Sequence, residues 1–211
     1  RSPLARLRIA LALAQEKPDN GPQYLGRIEQ EAERLEELIG QLLSTQAEDV
    51  ELDAHIDLVS LLTQLCADAN FEGQIDGKAV GFLSTIEEAI VDSSSDLLRK
   101  CFDNILRNAL HHTAHDTEVK VSLQAVGDEY RVTIEDQGPG VPEEDLGHIF
   151  GEFFRVDSAR SRSSGGYGLG LAIARRAILQ HGGEVSAQNT DTGLHITVRL
   201  PRPDPSAHGT V

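Results

Sequence analysis

Two short motifs in the second half of the chain contain residue types that could bind a nucleotide. The first is Asp136–Gly140, which reads DQGPG, and the second is Gly165–Leu171, which reads GGYGLGL. A buried carboxylate requires hydrogen-bond donors, and the exocyclic amine of adenine could supply one to Asp136. Gly138 and Gly140 allow a sharp turn that a flat ring can approach closely. The motifs therefore indicate a site for adenine and phosphates.

The segments beside these motifs support the same interpretation. Residues Tyr130–Glu135 alternate between apolar and polar side chains, as a strand does. Asp136 falls at the next apolar position of this alternation, so we expect its carboxylate to face the core. The glycines lead into a predicted helix, Leu169–Gln180, whose N-terminus suits phosphate groups. Alone, Asp-x-Gly-Pro-Gly is more often a plain turn. The glycine pattern matches neither a dinucleotide fingerprint nor a P-loop.

Two asparagines lie on one face of a predicted helix, Ser95–His112. Asn104 and Asn108 are four residues apart, and His111 and His112 continue that face one turn on. Asparagine is a poor residue inside a helix, so the pair suggests a function. A side-chain amide oxygen suits Mg²⁺, with phosphates and waters filling its other positions. Two exposed asparagines, or an amide pair bonded to each other, are the alternatives.

Four motifs in this order resemble the N, G1, F and G2 boxes of sensor histidine kinases. They are Asn104–Ala109, Asp136–Gly140, Ile149–Arg155 and Gly166–Leu171. Arg1–Leu4 is similar to the end of the family's phospho-acceptor box, so we expect a fragment that begins inside that motif. The resemblance implies an α+β fold. An N-terminal helical hairpin, forming a dimeric four-helix bundle, would precede a two-layer α/β sandwich of the Bergerat (GHKL) ATP-binding type.

Composition and periodicity agree with this organisation. The 211 residues carry a formal net charge of −15, which argues against nucleic-acid binding, and no apolar run is long enough to span a membrane. We predict a dimerisation and phosphotransfer hairpin at 1–50, a catalytic domain at 51–203 and a flexible tail at 204–211. Apolar seams in the hairpin helices, Ser2–Glu16 and 23–48, favour a homodimer. Packing of the hairpin on the second domain is the alternative.

The second domain is predicted to mix strands and helices, with two buried free thiols. The predicted strands are Ile56–Leu58, Val80–Leu83, Ala89–Val91, Glu118–Ala125, Glu129–Glu135, Val185–Asn189 and Leu194–Leu200; Val59–Ala69 is a further helix. Glu143–Asp145 fits a helix start, and the phenylalanines of the F box are expected to form an apolar cluster with Ile149. Cys66 and Cys101 are expected to be reduced rather than disulfide-bonded.

The resemblance also implies a role for each site residue. The expected ATP-binding residues are Asn104, Asn108, His111, His112, Asp136, Gly138, Gly140, Phe154, Arg155, Gly166, Gly168, Leu169, Gly170 and Leu171. Asp136 would bind the adenine amine, and Asn108 would hold Mg²⁺. Asn104 would act catalytically beside the metal, and Arg155 would reach a phosphate. Ser2 occupies the family's phosphatase position, where a residue orients the hydrolytic water.

Histidines at two of these positions depart from the family pattern. The family usually has Lys or Arg at position 111 and often Tyr at position 112. His111 and His112 therefore suggest a weaker or pH-dependent phosphate contact.

The implied activity is that of an ATP-dependent protein-histidine kinase, which passes the γ-phosphoryl group of Mg²⁺-ATP to a histidine and then to a response-regulator aspartate. The acceptor histidine would stand three residues before Arg1, so we expect this fragment to bind ATP without phosphorylating itself. A nucleotide-sensing pseudokinase or a phosphatase-dominant module is the alternative. The hairpin and the F box disfavour a chaperone or topoisomerase ATPase.

The resemblance extends to partners and location. It implies a homodimer formed through the hairpin and a response-regulator receiver domain as partner. It also implies the cytoplasmic portion of a bacterial inner-membrane protein, attached to the membrane only through parts absent from this chain.

Overall fold

The structure is a computed structural model that describes residues 3–16, 22–28, 30–32, 54–93, 97–156 and 168–203. The chain divides into two compact units, Arg1–Asp49 and Val50–Val211. Ser2, Gly166 and the predicted tail lie outside the described residues, as does most of the second hairpin helix.

The described part of the first unit is helical. Helix α1 spans Pro3–Glu16, within the predicted Ser2–Glu16, and residues 22–28 and 30–32 are also helical. The Nε atom of Arg6 lies 2.6 Å from a carboxylate oxygen of Glu31, so an ion pair joins these two helical segments. Ala10 is buried, whereas Leu11 and Leu25 are exposed.

The second unit contains seven strands, three α-helices and a short 3₁₀ helix (Gln74–Asp76) in its described part. The strands are β1 (Ala54–Asp57), β2 (Ala79–Ser84), β3 (Ile90–Ser93), β4 (Glu118–Val126), β5 (Glu129–Glu135), β6 (Glu184–Asn189) and β7 (Leu194–Pro201). The helices are α2 (Leu58–Gly73), α3 (Leu97–His112) and α4 (Gly170–Gln180). Each predicted strand of this unit is therefore present, and so are the helices predicted at Val59–Ala69, Ser95–His112 and Leu169–Gln180. Strand β5 has the predicted bounds, and the other elements differ from the prediction at one or both ends.

The prediction of a helix start at Glu143–Asp145 is wrong. Residues 143–150 form successive turns instead. Gly147 and Gly151 interrupt the run, and glycine is unfavourable inside a helix because it loses the most backbone freedom on folding.

Five strands form a mixed sheet in the order β2-β4-β5-β7-β6, in which β2 is parallel to β4 and the other pairs are antiparallel. Strands β1 and β3 form a separate antiparallel pair. The buried side chains of β4, β5 and β7 join those of the three helices in one hydrophobic core. The predicted two-layer α/β sandwich is confirmed.

Alternation along β5 determines which way Asp136 points. Tyr130, Val132 and Ile134 are buried, whereas the residues between them are more exposed. Asp136 follows with the same parity and is only 3% exposed. The carboxylate is therefore directed toward the covered face, as the sequence predicts.

Local hydrogen bonds fix the ends of two helices. The carboxylate of Asp57 caps α2 by accepting the N–H groups of Val59 and Ser60, both at 3.1 Å. Helix α4 ends where Gly182, with φ +67°, adopts the left-handed conformation. The N–H of Gly183 then donates to the carbonyl of Ile178 at 2.9 Å, which is a Schellman end.

The two cysteines are free and buried, as predicted. Burial raises the pKa of the Cys66 thiol to about 12 and raises the pKa of the Cys101 thiol as well. Both groups therefore remain protonated thiols inside the core at neutral pH.

Candidate functional site

Asp136 lies directly after β5, and one of its carboxylate oxygens is held by the backbone. Oδ1 accepts the N–H of Gly138 at 2.9 Å and the N–H of Leu194 at 3.1 Å. Burial raises the pKa of this carboxyl, although the two N–H groups oppose the shift. Oδ2 accepts no hydrogen bond from the residues that the structure describes. One oxygen therefore fixes the side chain, and the other can accept a hydrogen bond from a ligand.

Two glycines allow neighbouring segments to pack closely around Asp136. A Cβ atom at Gly193, in the turn between β6 and β7, would overlap the backbone oxygen of Asp136. A Cβ atom at Gly138 would lie 2.5 Å from the carbonyl oxygen of His112. Gly138 therefore admits the end of α3, whereas the sequence predicts a sharp turn there that a flat ring can approach closely. Gly140 adopts φ +70°, the left-handed conformation.

The asparagine face of α3 meets the N-terminus of α4. Asn104 and Asn108 are both half-buried. The Nδ2 atom of Asn104 donates to the carbonyl of Lys100 at 2.8 Å, which leaves Oδ1 on the other side of the amide. A Cβ atom at Gly170 would lie 3.1 Å from that Oδ1. The structure thus brings Asn104 of the N box beside Gly170 of the G2 box.

The C-terminal end of α3 carries the histidine pair, and a lysine binds its carbonyl groups. The rings of His111 and His112 are edge to face with centroids 4.8 Å apart. Lys78 Nζ donates to the carbonyl of Leu110 at 2.7 Å. Burial, His111 and Lys78 lower the pKa of His112, against an opposing effect of Asp136. Lys78 is a positive charge at this helix end that the sequence patterns did not reveal.

Thr113 ties the end of α3 to residues 136–141, which follow β5 and are called the Asp136 loop. Its hydroxyl oxygen accepts the N–H of Gln137 at 3.0 Å, and the N–H of Ala114 donates to the carbonyl of Gln137 at 3.1 Å. Thr113 is buried. Sequence reasoning missed this residue, because a single hydroxyl after a helix has no spacing that would indicate a partner on another element.

The F box and the G2 box meet at a backbone hydrogen bond. The N–H of Phe153 donates to the carbonyl of Gly168 at 3.1 Å. Gly168 adopts φ +73°, and a Cβ atom there would lie 2.5 Å from the carbonyl oxygen of Phe154. Phe154 is half-buried, and Arg155 is exposed. The site therefore requires glycine at position 168.

The remaining F-box and G2-box residues differ in burial. Ile149 and Leu169 are buried, and Leu171 is half-buried. The expectation that all the F-box phenylalanines join one apolar cluster is wrong for Phe153, which is 45% exposed. Its φ of 60° differs from that of an extended strand or a right-handed helix.

The side chains of the site suit a metal ion that binds together with phosphates. Within the described ranges, no three His, Cys, Asp or Glu side chains are grouped to hold a metal ion. Asn104 supplies a neutral amide oxygen beside the N-terminus of α4, and Asn108 offers a second one four residues along α3. Mg²⁺ prefers few protein oxygens, with phosphates and waters completing its octahedron, so these residues fit it.

The sequence of the site matches a known family. Residues 93–204 match the family described as histidine kinase-, DNA gyrase B- and HSP90-like ATPase. The chain belongs to this ATPase family. Residues 1–49 match the His Kinase A (phospho-acceptor) domain. Together, the two matches confirm the predicted resemblance to sensor histidine kinases.

Individual members of the family show the same likeness. Sensor histidine kinase CpxA of Escherichia coli K12 is 35% identical over 205 residues, covering 95% of this chain and 44% of CpxA. This chain thus spans less than half the length of CpxA. The ATP-binding domain of PrrB from Mycobacterium tuberculosis is 26% identical, with a TM-score of 0.57, over 72% of this chain and 98% of PrrB.

A third comparison supports the fold alone. ThkA, solved in complex with the response regulator protein TrrA, is 21% identical with a TM-score of 0.71, over 96% of this chain and 58% of ThkA.

Among the described residues, no helix is both long and apolar enough to cross a membrane.

Proposed function

We propose that this chain is the catalytic part of a sensor histidine kinase, which binds Mg²⁺-ATP and transfers the γ-phosphoryl group to a histidine. The observation that carries the proposal is the buried carboxylate of Asp136. Its Oδ1 is held by two backbone N–H groups, and its Oδ2 is left for a donor. An acceptor at the covered end of a strand fits the exocyclic amine of adenine, which is a hydrogen-bond donor.

The phosphates would extend from Asp136 toward the N-terminus of α4. Gly168 and Gly170 would offer backbone N–H groups there, where the helix dipole favours negative charge. Arg155 would approach from the F box, and Leu169 and Leu171 would hold the first turn of α4 against the core. The adjacency of Asn104 and Gly170 supports this direction, because it places an amide side chain next to the proposed phosphate position.

Mg²⁺ would be held by Asn108, with Asn104 beside it, and would neutralise charge on the phosphates. Phosphoryl transfer depends chiefly on positioning and charge neutralisation. The residues of this chain would therefore hold the γ-phosphate in place and exclude water. His111 and His112 would lie at the end of the same face, near the phosphates.

The acceptor and the next partner follow from the phospho-acceptor match. By the motif, the acceptor histidine would stand three residues before Arg1, and Ser2 would occupy the phosphatase position. The phosphoryl group would then pass to an aspartate of a response-regulator receiver domain. ThkA, which shares the fold, was solved in complex with such a protein, the response regulator TrrA.

We also propose that the hairpin forms a homodimer. Ile9, Leu11 and Leu25 are 46%, 47% and 62% exposed in the single chain, which leaves apolar side chains for a second copy to cover. The proposed parts remain the hairpin at 1–50, the catalytic domain at 51–203 and the tail at 204–211. The chain would be the cytoplasmic portion of a bacterial inner-membrane sensor, which the sensor kinase relatives support.

Phosphoryl transfer tests the proposal. A longer form of the protein that includes the residues before Arg1 is incubated with γ-labelled ATP and Mg²⁺, beside this chain. We expect acid-labile, base-stable label on the longer form only. ATP binding without label on either form would contradict the kinase and favour a nucleotide-sensing or phosphatase-dominant module.

A further inference from the structure

Asn189, the last residue of β6, clamps the backbone of Val141 with its side-chain amide. Oδ1 of Asn189 accepts the N–H of Val141 at 2.9 Å, and Nδ2 donates to the carbonyl of Val141 at 2.6 Å. Nδ2 also lies 3.2 Å from a carboxylate oxygen of Glu143. One side chain thus satisfies both backbone groups of Val141, as a neighbouring strand would.

The clamp acts where the Asp136 loop ends. Val141 follows Gly140, and a Cβ atom at Gly140 would lie 2.7 Å from Oδ1 of Asn189. Within the described part of the chain, residues 139–141 make two hydrogen bonds, and both are to the side chain of Asn189. Thr113 holds the start of the loop at Gln137. The end of the loop therefore depends on Asn189.

The pair of strands β6 and β7, which carries Asn189, also holds the start of the loop. Strand β6 pairs with β7, and the N–H of Leu194, the first residue of β7, donates to Oδ1 of Asp136. Asn189 and Leu194 face each other in this pairing. The end of one hairpin thus binds both the carboxylate and the last part of the loop, and sets the distance between them.

We propose that Asn189 is a positioning residue for nucleotide binding, which fixes Gly140 and Val141 relative to Asp136. This inference rests on the proposed nucleotide site at Asp136. Asn189 contacts the loop backbone, so it acts through Gly140 and Val141. A small displacement of a binding group has a large effect on affinity or rate, because the bound geometry must be preformed. Sequence patterns place Asn189 only at a strand end.

Three variants separate the contributions. Asn189→Leu keeps a similar side-chain volume and removes both bonds to Val141. Asn189→Asp keeps an acceptor for the N–H of Val141, loses the donor and places a carboxylate beside Glu143. Adding Glu143→Gln to Asn189→Asp removes that carboxylate pair. Gln188→Ala is the matched control, because Gln188 is an exposed neighbour on the same strand.

The measurement is the dissociation constant of a fluorescent ATP analogue, with the unfolding temperature recorded for each variant. We expect Asn189→Leu to bind as much as about 25-fold more weakly, since each of the two lost hydrogen bonds is worth on the order of a factor of five. Asn189→Asp should also bind more weakly, and the added Glu143→Gln should recover part of the affinity. Gln188→Ala should match the parent protein.

The outcomes distinguish this inference from the proposed site. If Asn189→Leu folds and binds within twofold of the parent, Asn189 is a structural residue only and the inference is overturned. If Asn189→Leu does not fold, the Asp variant decides: affinity equal to that of the parent overturns the inference, and weaker binding with recovery by Glu143→Gln supports it. A parent protein that binds no ATP analogue would overturn the proposed nucleotide site itself, and this inference with it.

Discussion

Replacing Asp136 by asparagine tests whether the second carboxylate oxygen binds adenine. The change keeps the side-chain shape and exchanges one oxygen for an NH₂ group. The amide oxygen can still accept the N–H groups of Gly138 and Leu194, which reach Oδ1 at 2.9 and 3.1 Å. The NH₂ group then takes the position of Oδ2, where it faces the adenine amine. Two donors would meet, and the ligand hydrogen bond would be lost.

The size of the effect follows from the charge of the acceptor. A hydrogen bond to a charged group contributes about 1.5–3 kcal/mol, which corresponds to a loss of ATP affinity of roughly 10- to 150-fold. Folding should respond differently. Burial raises the pKa of Asp136, which shows that the folded protein disfavours the charged form. A neutral amide removes that penalty, so the unfolding temperature should not fall.

Isothermal titration with ATP and a thermal melt give both quantities. Glu135→Gln is the matched control, because Glu135 is the neighbouring carboxylate and belongs to the opposite face of β5. We expect the control to bind ATP as the parent does. Folded Asp136→Asn protein that binds ATP within threefold of the parent would refute the adenine assignment. A large fall in its unfolding temperature would refute the argument that the backbone N–H groups accept an amide equally well.

Three further substitutions test other parts of the structure. Asn108→Ala should weaken ATP binding about tenfold more in the presence of Mg²⁺ than in the presence of a chelator. The control Arg107→Ala should leave the ATP affinity unchanged under both conditions. If Asn108→Ala lost the same affinity with Mg²⁺ as with the chelator, Asn108 would not be a metal ligand. Gly193→Ala should lower the free energy of unfolding by about 1–3 kcal/mol and weaken ATP binding, and an unchanged denaturant midpoint would contradict the close packing on Asp136. Asp57→Ala should remove about 1 kcal/mol at pH 7. Burial alone would raise the pKa of Asp57, but its hydrogen bonds outweigh burial and the pKa is lowered overall. The stability that Asp57 contributes is therefore present at neutral pH and is lost as the pH falls below about 4. A difference in unfolding free energy between parent and Asp57→Ala that stayed constant down to pH 3 would contradict the cap.

Local sequence patterns predicted the elements and the direction of the main side chain. Alternation at Val132 and Ile134 placed Asp136 on the covered face, and the structure has it there. The four-residue spacing of Asn104 and Asn108 placed both on one face of α3. These predictions succeeded because strand and helix periodicities are properties of the local chain.

The residues that hold the Asp136 loop could not be predicted in this way. Thr113 and Asn189 contact it from other elements, and Leu194 approaches because β7 lies next to β5 in the sheet. Strand order depends on how the whole chain packs, which a single segment does not encode. Phe153 illustrates the same limit, since its positive φ arises where it bonds to Gly168.

The strand order also determines when the site can form during folding. Strand β7 lies between β5 and β6, so β6 has no partner in the sheet until β7 has been added. The bond from Leu194 to Asp136 spans 58 residues and forms at that last step. Contacts this far apart in the chain are slow to form, because a long loop must close first. During synthesis, a chain that has reached α4 would carry the whole of the N, G1, F and G2 sequences and would not yet hold the carboxylate of Asp136 in place.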